Sequence, residues 1–491
     1  MLSAAVCALS VPVGTAWAWL LTRTDMPGRR FALGLVAVLL FVPLYLQAAA
    51  WEAGFGLQGW AVLAWGLPVW LDGWVGAIFV HAVSAVPWVV LISGLGFVLI
   101  EPELEEQALL DGSAWQVFFR VTLPGAAPAV GLSALWVAIT TAGEMTVTDL
   151  FVVRTFAEEL YTQAAIGPGP EGLVAGVAPS ILLTALLAAG GILLAARLAP
   201  GKRPITLACR GTFGLGPWRW PTALAVGLGV FFLVGVPLGN LLYKAGVEVT
   251  QTETGRLRAW SLLKTCSIVA TSPWRYRREF GWSLALGVLA ATIAAIVAIG
   301  LAWWARRGGA RALPAILATA LGLAVPGPVL GLSLIWMLNR PEFPWLLGLY
   351  DNPFFAPGVA LTFRAMPLPI LLLWHAFRTL PQEMLEAAAV DGAGSWGQLW
   401  RIALPCRPTA VVLAWLVALA VALGELAASI LVVPPGVTTL AIRIFGLLHY
   451  GVEDQVAGIC LALVALFSGL AAGAVFLTGR TGSLQSLARM R

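Results

Sequence analysis

Apolar residues along this chain come in long uninterrupted runs, not in the alternating or three-to-four patterns of elements with one wet face. Eleven such runs lie near residues 2–22, 31–51, 74–100, 125–143, 172–196, 221–243, 281–305, 312–338, 354–377, 408–424 and 456–479. Most are close to the ~20 residues a helix needs to cross hydrocarbon. A segment inside lipid must satisfy its own backbone hydrogen bonds, so each run predicts a spanning helix. The predicted fold class is therefore all-α and polytopic. Neither the first nor the sixth run has the flanks of a removable signal peptide.

Composition agrees: 60% of the 491 residues are hydrophobic and 11% charged, whereas soluble domains approach about 25% charged. The basic residues set an orientation, because short cytoplasmic loops carry the excess. With the loop after the first run inside, 18 of the 29 Lys and Arg fall on the cytoplasmic side, among them Arg23, Arg29, Arg30, Lys202, Arg203, Arg210, Arg306, Arg307 and Arg311. Ten fall outside, seven of them in one long connection from Lys244 to Arg278. The N-terminus is thus expected outside. The asymmetry accounts for the net charge of +5, and no soluble basic surface is left for nucleic acid. Cys7, Cys209, Cys266, Cys406 and Cys460 have no metal-ligand or CxxC spacing and read as small apolar filler.

The chain repeats itself. Glu106-Gln107-Ala108-Leu109-Leu110-Asp111-Gly112 returns as Glu386-Ala387-Ala388-Ala389-Val390-Asp391-Gly392, and Leu123-Pro124 returns as Leu404-Pro405. Pro87 and Pro367, Phe97 and Phe377, Gly143-Glu144 and Gly424-Glu425, and Val152-Val153 and Val432-Val433 follow in the same order at an offset of 280 or 281. Runs one to five are equivalent to runs seven to eleven. Six runs separate equivalents, so the two copies share one orientation, a parallel repeat about an axis along the membrane normal. The sixth run has no counterpart. The expected organisation is a first half at 1–198, a cytoplasmic linker at 199–220 and a second half at 221–491.

Each copy carries one inside segment, Glu101 to Pro124 and Leu380 to Pro405, that is too polar to span and too apolar to be a free linker. Good helix formers with early acids fill Glu103 to Asp111 and Glu383 to Asp391. Gly112 and Gly392 are expected to stop these helices at positive φ. Trp115, Phe118 and Phe119 in one copy, and Trp396, Leu399 and Trp400 in the other, then predict a second short helix closed by Leu-Pro. Each segment is a helix-turn-helix knob.

Glu386-Ala387-Ala388, Gly392 and then Ile402-Ala403-Leu404-Pro405 resemble the EAA loop of binding-protein-dependent ATP-binding-cassette importer permeases. Glu106, Ala108, Asp111, Gly112, Leu123 and Pro124 resemble it less closely, with Gln107 in place of the first alanine and one residue fewer between glycine and proline. The resemblance implies that both knobs dock into ATPase subunits: Glu106, Ala108, Asp111, Gly112, Leu123 and Pro124, and Glu386, Ala387, Ala388, Asp391, Gly392, Leu404 and Pro405. The fused two-half arrangement, the stretches Trp19 to Gly28 and Ala324 to Leu332, and Leu423-Gly424-Glu425-Leu426 followed by Pro434-Pro435-Gly436 resemble the iron(III)-type permeases, which implies iron(III) as the expected solute, with thiamine, polyamines, oxyanions and phosphonates as the alternatives that similar permeases handle. Implied partners are two copies of an ATPase, an extracytoplasmic solute-binding protein and the lipid bilayer. The implied location is the bacterial inner membrane. The chain has no G-x-x-x-x-G-K-[ST] phosphate loop, the nearest string being Gly201-Lys202-Arg203, so ATP is expected to be hydrolysed by a partner. No catalytic residue, cofactor or metal is assigned.

Charges in or beside a span are costly and draw attention. Glu144 and Glu425 hold equivalent positions after the fourth and tenth runs, and Arg364 lies within the ninth. One reading has the carboxylates lining an outer vestibule of the translocation path, with Arg364 paired to Glu425. The other has them ending helices in water while Arg364 bonds to backbone. His81, His375 and His449, beside Tyr450, read as packing residues. Trp51, Trp60, Trp65, Trp70 and Trp74 read as an interfacial belt. An ion-coupled secondary transporter, the rival class, would show interrupted helices and midplane carboxylates.

Overall fold

The computed structural model describes residues 1–159, 162, 170–198, 213–252, 255–449 and 454–488. Lys202, Arg203, Cys209, Arg210, Tyr450 and linker residues 199–212 lie outside the described residues. Among those described, seven helices are long and apolar enough to cross a membrane, and the number reaches 11 when four bent helix pairs each count as one span. Each of the eleven apolar runs coincides with one of these.

The bends were not anticipated, and each has a proline at the break. Arg29–Leu39 turns by 102° into Leu44–Trp65 at Pro43, and Gly309–Ala324 turns by 105° into Gly327–Leu338 at Pro326. Proline removes a backbone donor and its ring obstructs the preceding turn, so a helix ends there unless packing supports a kink. These two breaks fall at matching points of the two repeats, 283 residues apart. Phe355–Ala365 bends by 48° into Pro367–Arg378, and Ser395–Cys406 by 85° into Pro408–Gly424. Pro87, the counterpart of Pro367, stays inside one continuous helix, Gly73–Leu99.

The chain forms two compact units that alternate along the sequence. The first comprises residues 1–165, 208–284 and 435–471, the second residues 166–207, 285–434 and 472–491. In the first, the helix Leu2–Arg23 packs along Gly73–Leu99, where Gly14 lets it approach Val86 and Val89 too closely for any Cβ. Around Trp51, 1% exposed, Phe79, Phe55 and Phe232 pack with ring centroids at 4.8, 6.0 and 5.0 Å. Trp51 is thus core and not belt, whereas Trp65 is 68% exposed as a belt residue should be. In the second unit Gly287 brings Arg277–Ala305 against Leu419 and Leu423.

The described residues of the long connection after the sixth span form two antiparallel strands, Val247–Thr252 and Gly255–Trp260 in the register Val247 to Trp260, followed by the helix Leu262–Arg275. This hairpin is the one departure from an all-α chain among the described residues. Its alternation, Val-Glu-Val-Thr-Gln-Thr and Gly-Arg-Leu-Arg-Ala-Trp, is the period-two signal masked by reading the stretch as a linker. Cys460 is buried as filler, but Cys266 and Cys406 are exposed.

Candidate functional site

Both knobs form, with the same order of elements. Pro102–Asp111 and Gln382–Val390 are the first helices, Ala114–Val117 and Ser395–Gln398 the second. In each copy the second helix widens into a π-helical turn, Phe118–Thr122 and Leu399–Ala403, before Leu-Pro. The outward side chains agree as well: Leu110 is 86% exposed and Val390 87%, Trp115 67% and Trp396 65%, Phe119 58% and Trp400 66%. Phe118 and Leu399 instead turn inward, where Phe118 meets Trp19 at 4.8 Å between centroids. Glu106 and Glu386 are exposed, as are Asp111, Pro124, Ala387, Asp391 and Pro405, while Ala108, Ala388, Leu123 and Leu404 are half-buried. Each knob is therefore an apolar, acid-bordered surface that none of the described residues covers.

The two glycines behave differently. Gly392 has φ +83°, and the Ala393 N–H bonds to Ala388 O at 2.8 Å while the Gly392 N–H bonds to Ala389 O at 3.0 Å. That pair of bonds closes a helix with a left-handed residue, the conformation glycine adopts without strain. Gly112 does not take positive φ: it is extended, φ −149° and ψ 163°. The cause is the missing residue. Ser113 follows at once as the cap of the next helix, accepting from the Gln116 N–H at 3.4 Å while the Gln116 side chain accepts from the Ser113 N–H at 3.0 Å, so the chain must run straight between the helices.

The first knob is also tied to its span by groups that sequence reasoning did not connect. Glu105 is fully buried, its carboxylate 2.7 Å from the Arg23 guanidinium at the end of the first helix, and it accepts from the Thr122 hydroxyl at 2.8 Å. Arg23 also donates to Ile100 O at 2.9 Å. The second copy places Leu385 and Ala403 at the positions of Glu105 and Thr122, so this tie has no polar counterpart there. Instead the Trp303 indole donates to Ser395 at 3.2 Å and the Arg306 guanidinium stacks on Trp303, 3.2 Å from the ring centroid. Burial, then the charges of Arg307 and Arg311, lower the Arg306 pKa to about 10. The signal available in sequence was the buried-helix spacing of Glu105 beside the exposed Glu106.

At the opposite ends of the fourth and tenth spans the equivalent carboxylates make equivalent bonds. Glu144 accepts from the Thr146 and Val147 N–H groups at 2.7 and 3.1 Å, and its other contact is the His81 ring at 3.3 Å. Burial pushes the Glu144 carboxyl up, but the His81 and backbone interactions outweigh it and hold the group below the usual carboxylate range. Glu425 accepts from the Ala428 N–H at 3.0 Å and from Arg364 Nε at 3.1 Å. Arg364 further donates to Gly322 O and Val325 O at 3.1 and 3.2 Å, the last carbonyls before the break at Pro326. Glu144 and Glu425 are 17% and 10% exposed. They sit in neither reading cleanly: each caps the turn after its span, and each faces a basic side chain, His81 or Arg364, one helical turn apart on equivalent helices. His449 bonds to Asp149 at 3.2 Å.

Each copy thus has an exposed knob at one end of a spanning helix and a capped carboxylate at the other. Residues 10–204 match the family described as binding-protein-dependent transport system inner membrane component. The molybdenum transport system permease protein ModB of Azotobacter vinelandii is 29% identical over 174 residues, 33% of this chain and 76% of the relative. Its namesake in Haemophilus influenzae is 35% identical over 140 residues, 26% and 59% of the two chains, and the sulfate transport system permease protein CysW of Escherichia coli K12 is 31% identical over 137 residues, 25% and 45%. The protein is a multi-pass inner-membrane permease subunit of an ATP-binding-cassette importer, a class that works with ATPase subunits and a solute-binding protein.

Proposed function

We propose that the two halves together form the translocation path, that the knobs at Glu106 to Pro124 and Glu386 to Pro405 receive the motion of two copies of one ATPase, and that Glu144, Glu425 and Arg364 border the path. The observation that carries this reading is the matched exposure of Leu110 and Val390, Trp115 and Trp396, and Phe119 and Trp400, an uncovered apolar surface presented twice in the same geometry. Interrupted helices do not favour the ion-coupled rival, because at the break before Pro326 the carbonyls of Gly322 and Val325 are already taken by Arg364.

For the solute we propose a tetrahedral oxyanion such as molybdate or sulfate, as the names of the similar permeases suggest. The carboxylates support it: Glu144 and Glu425 are already engaged by backbone N–H groups, His81 and Arg364, which leaves little negative potential to draw a cation. Iron(III) remains the second reading, favoured by the fused two-half arrangement and the stretch Ala324 to Leu332. The test is ATP-driven uptake into proteoliposomes holding this chain and its ATPase, with molybdate, sulfate or iron(III) delivered by a binding protein for each. Uptake of an oxyanion alone supports the first reading. Uptake of iron(III) alone overturns it.

A further inference from the structure

The seven basic residues between Lys244 and Arg278 run against the charge asymmetry of the rest of the chain, and two of them, Lys264 and Arg275, lie on a helix, Leu262–Arg275, with Arg277 and Arg278 just after it. Its polarity is inverted. The side turned to the protein carries small hydroxyls, Thr265 at 3% and Ser272 at 3% exposed, with Ile268 between them against Gly458. The side turned away carries Leu262 at 63%, Leu263 at 84% and Trp274 at 73% exposed, with exposed Cys266 and Ala270 on the same stripe. Only Ser267 and Thr271 interrupt it, and the Thr271 hydroxyl is satisfied by Ser267 O at 2.7 Å. A helix facing water would have these two sides exchanged.

The inward side is fixed by polar bonds. Lys264 Nζ lies 2.8 Å from Asp454 and donates to Val247 O at 2.5 Å, and the Tyr276 hydroxyl donates to Gln455 at 3.1 Å. The outward stripe is thus held in place and does not collapse onto the protein. One residue later, at Arg277, begins the spanning helix Arg277–Ala305. Its far end carries Trp303, which bonds to Ser395, so the inverted helix lies at the opposite end of this span from that contact. Trp274, with Arg277 5.0 Å from its ring, and the exposed Arg275 and Arg278 stand at the junction. An amphipathic aromatic ring among guanidinium groups at the mouth of a span matches the chemistry of the headgroup layer.

We propose that Leu262–Arg275 is an interfacial helix, lying in the plane of the membrane with Leu262, Leu263, Cys266, Ala270 and Trp274 in the acyl boundary and Arg275, Arg277 and Arg278 among anionic headgroups. An interfacial helix of this kind sits about 5–10 Å into the boundary. Arg275, Arg277 and Arg278, three of the basic residues that run against the orientation rule, are then headgroup ligands.

The test uses the full chain in phosphatidylcholine–phosphatidylglycerol nanodiscs, with Cys7, Cys209, Cys406 and Cys460 changed to Ser so that a nitroxide label attaches to Cys266 alone. Equivalent single-site labels at Leu263→Cys and Ala270→Cys extend the stripe. Val288→Cys, exposed on the spanning helix, gives the lipid standard, and the exposed loop residue Asp351→Cys gives the water standard. Collisions with oxygen and with a water-soluble nickel chelate are measured for each. The expected result is a several-fold higher ratio of oxygen to nickel collisions at 263, 266 and 270 than at 351, approaching the value at 288. A ratio equal to that at 351 overturns the proposal. So does nickel accessibility that disappears only when a solute-binding protein is added, which would make the stripe a protein-docking face.

Discussion

Replacing Glu105 by leucine, the residue found at the equivalent position of the second copy, isolates the tie between the first knob and the first helix. The Arg23 and Glu105 side chains are 2% and 0% exposed and 2.7 Å apart. At an effective dielectric of ~20 that separation corresponds to about 6 kcal/mol of attraction. Removing two charges from water costs several kcal/mol for each ion, so the intact pair gains little over an apolar pair, whereas taking away one partner of a buried pair costs about 3–5 kcal/mol. The Thr122 hydroxyl would lose its acceptor too. Glu105→Leu should therefore destabilise the chain by about 3–5 kcal/mol. The triple variant Arg23→Met, Glu105→Leu, Thr122→Ala, which imitates the apolar second copy, should return to within about 1–2 kcal/mol of the original chain. Unfolding in mixed detergent–SDS micelles, followed by the reactivity of the buried Cys460, reads both. A Glu105→Leu variant as stable as the original, or a triple variant worse than the single one, would refute the reasoning.

Arg364→Met leaves Glu425 and the carbonyls of Gly322 and Val325 without their donor; it should cost about 2–5 kcal/mol in the same unfolding titration and abolish uptake. Arg364→Lys keeps the charge but cannot span all three acceptors, so uptake should fall more than stability does. The fold favours the ionised form of Glu144, so its contribution is present above the ordinary carboxylate pKa and fades as pH falls through the lowered value; Glu144→Gln should flatten that acid limb of the stability profile. Val152, β-branched at φ +54° and 87% exposed, is strained, and Val152→Gly should stabilise by about 1 kcal/mol, measured by the same titration.

Length and apolarity made the spans legible, because lipid imposes one requirement on every residue of a crossing helix. The knobs were legible as well, since the repeat displayed them twice. Three features were not. The bends at Pro43 and Pro326 were hidden because an apolar run reads the same whether straight or folded through about 100°, and proline in such a run can kink, break or be tolerated. The extended backbone at Gly112 arose from a one-residue deletion, and glycine marks only that a positive φ is permitted. The Arg23–Glu105 pair joins residues 82 apart, and the adjacent acid, Glu106, drew the sequence motif to itself while the buried one did the tying. The pairing of Glu425 with Arg364 was among the sequence readings; that of Glu144 with His81 was not, since the histidine stands one turn away from the position of Arg364.

The most direct test of the central claim, that the two knobs are where energy enters, is copurification with an importer ATPase, comparing the intact chain with Glu386→Arg, Gly392→Pro. Glu386 is exposed and φ at Gly392 is +83°, a value proline cannot adopt, so the change acts on the knob alone. The account predicts that the intact chain retains the ATPase and that the variant, inserted in the membrane at the same level, does not. Equal retention by both would contradict it.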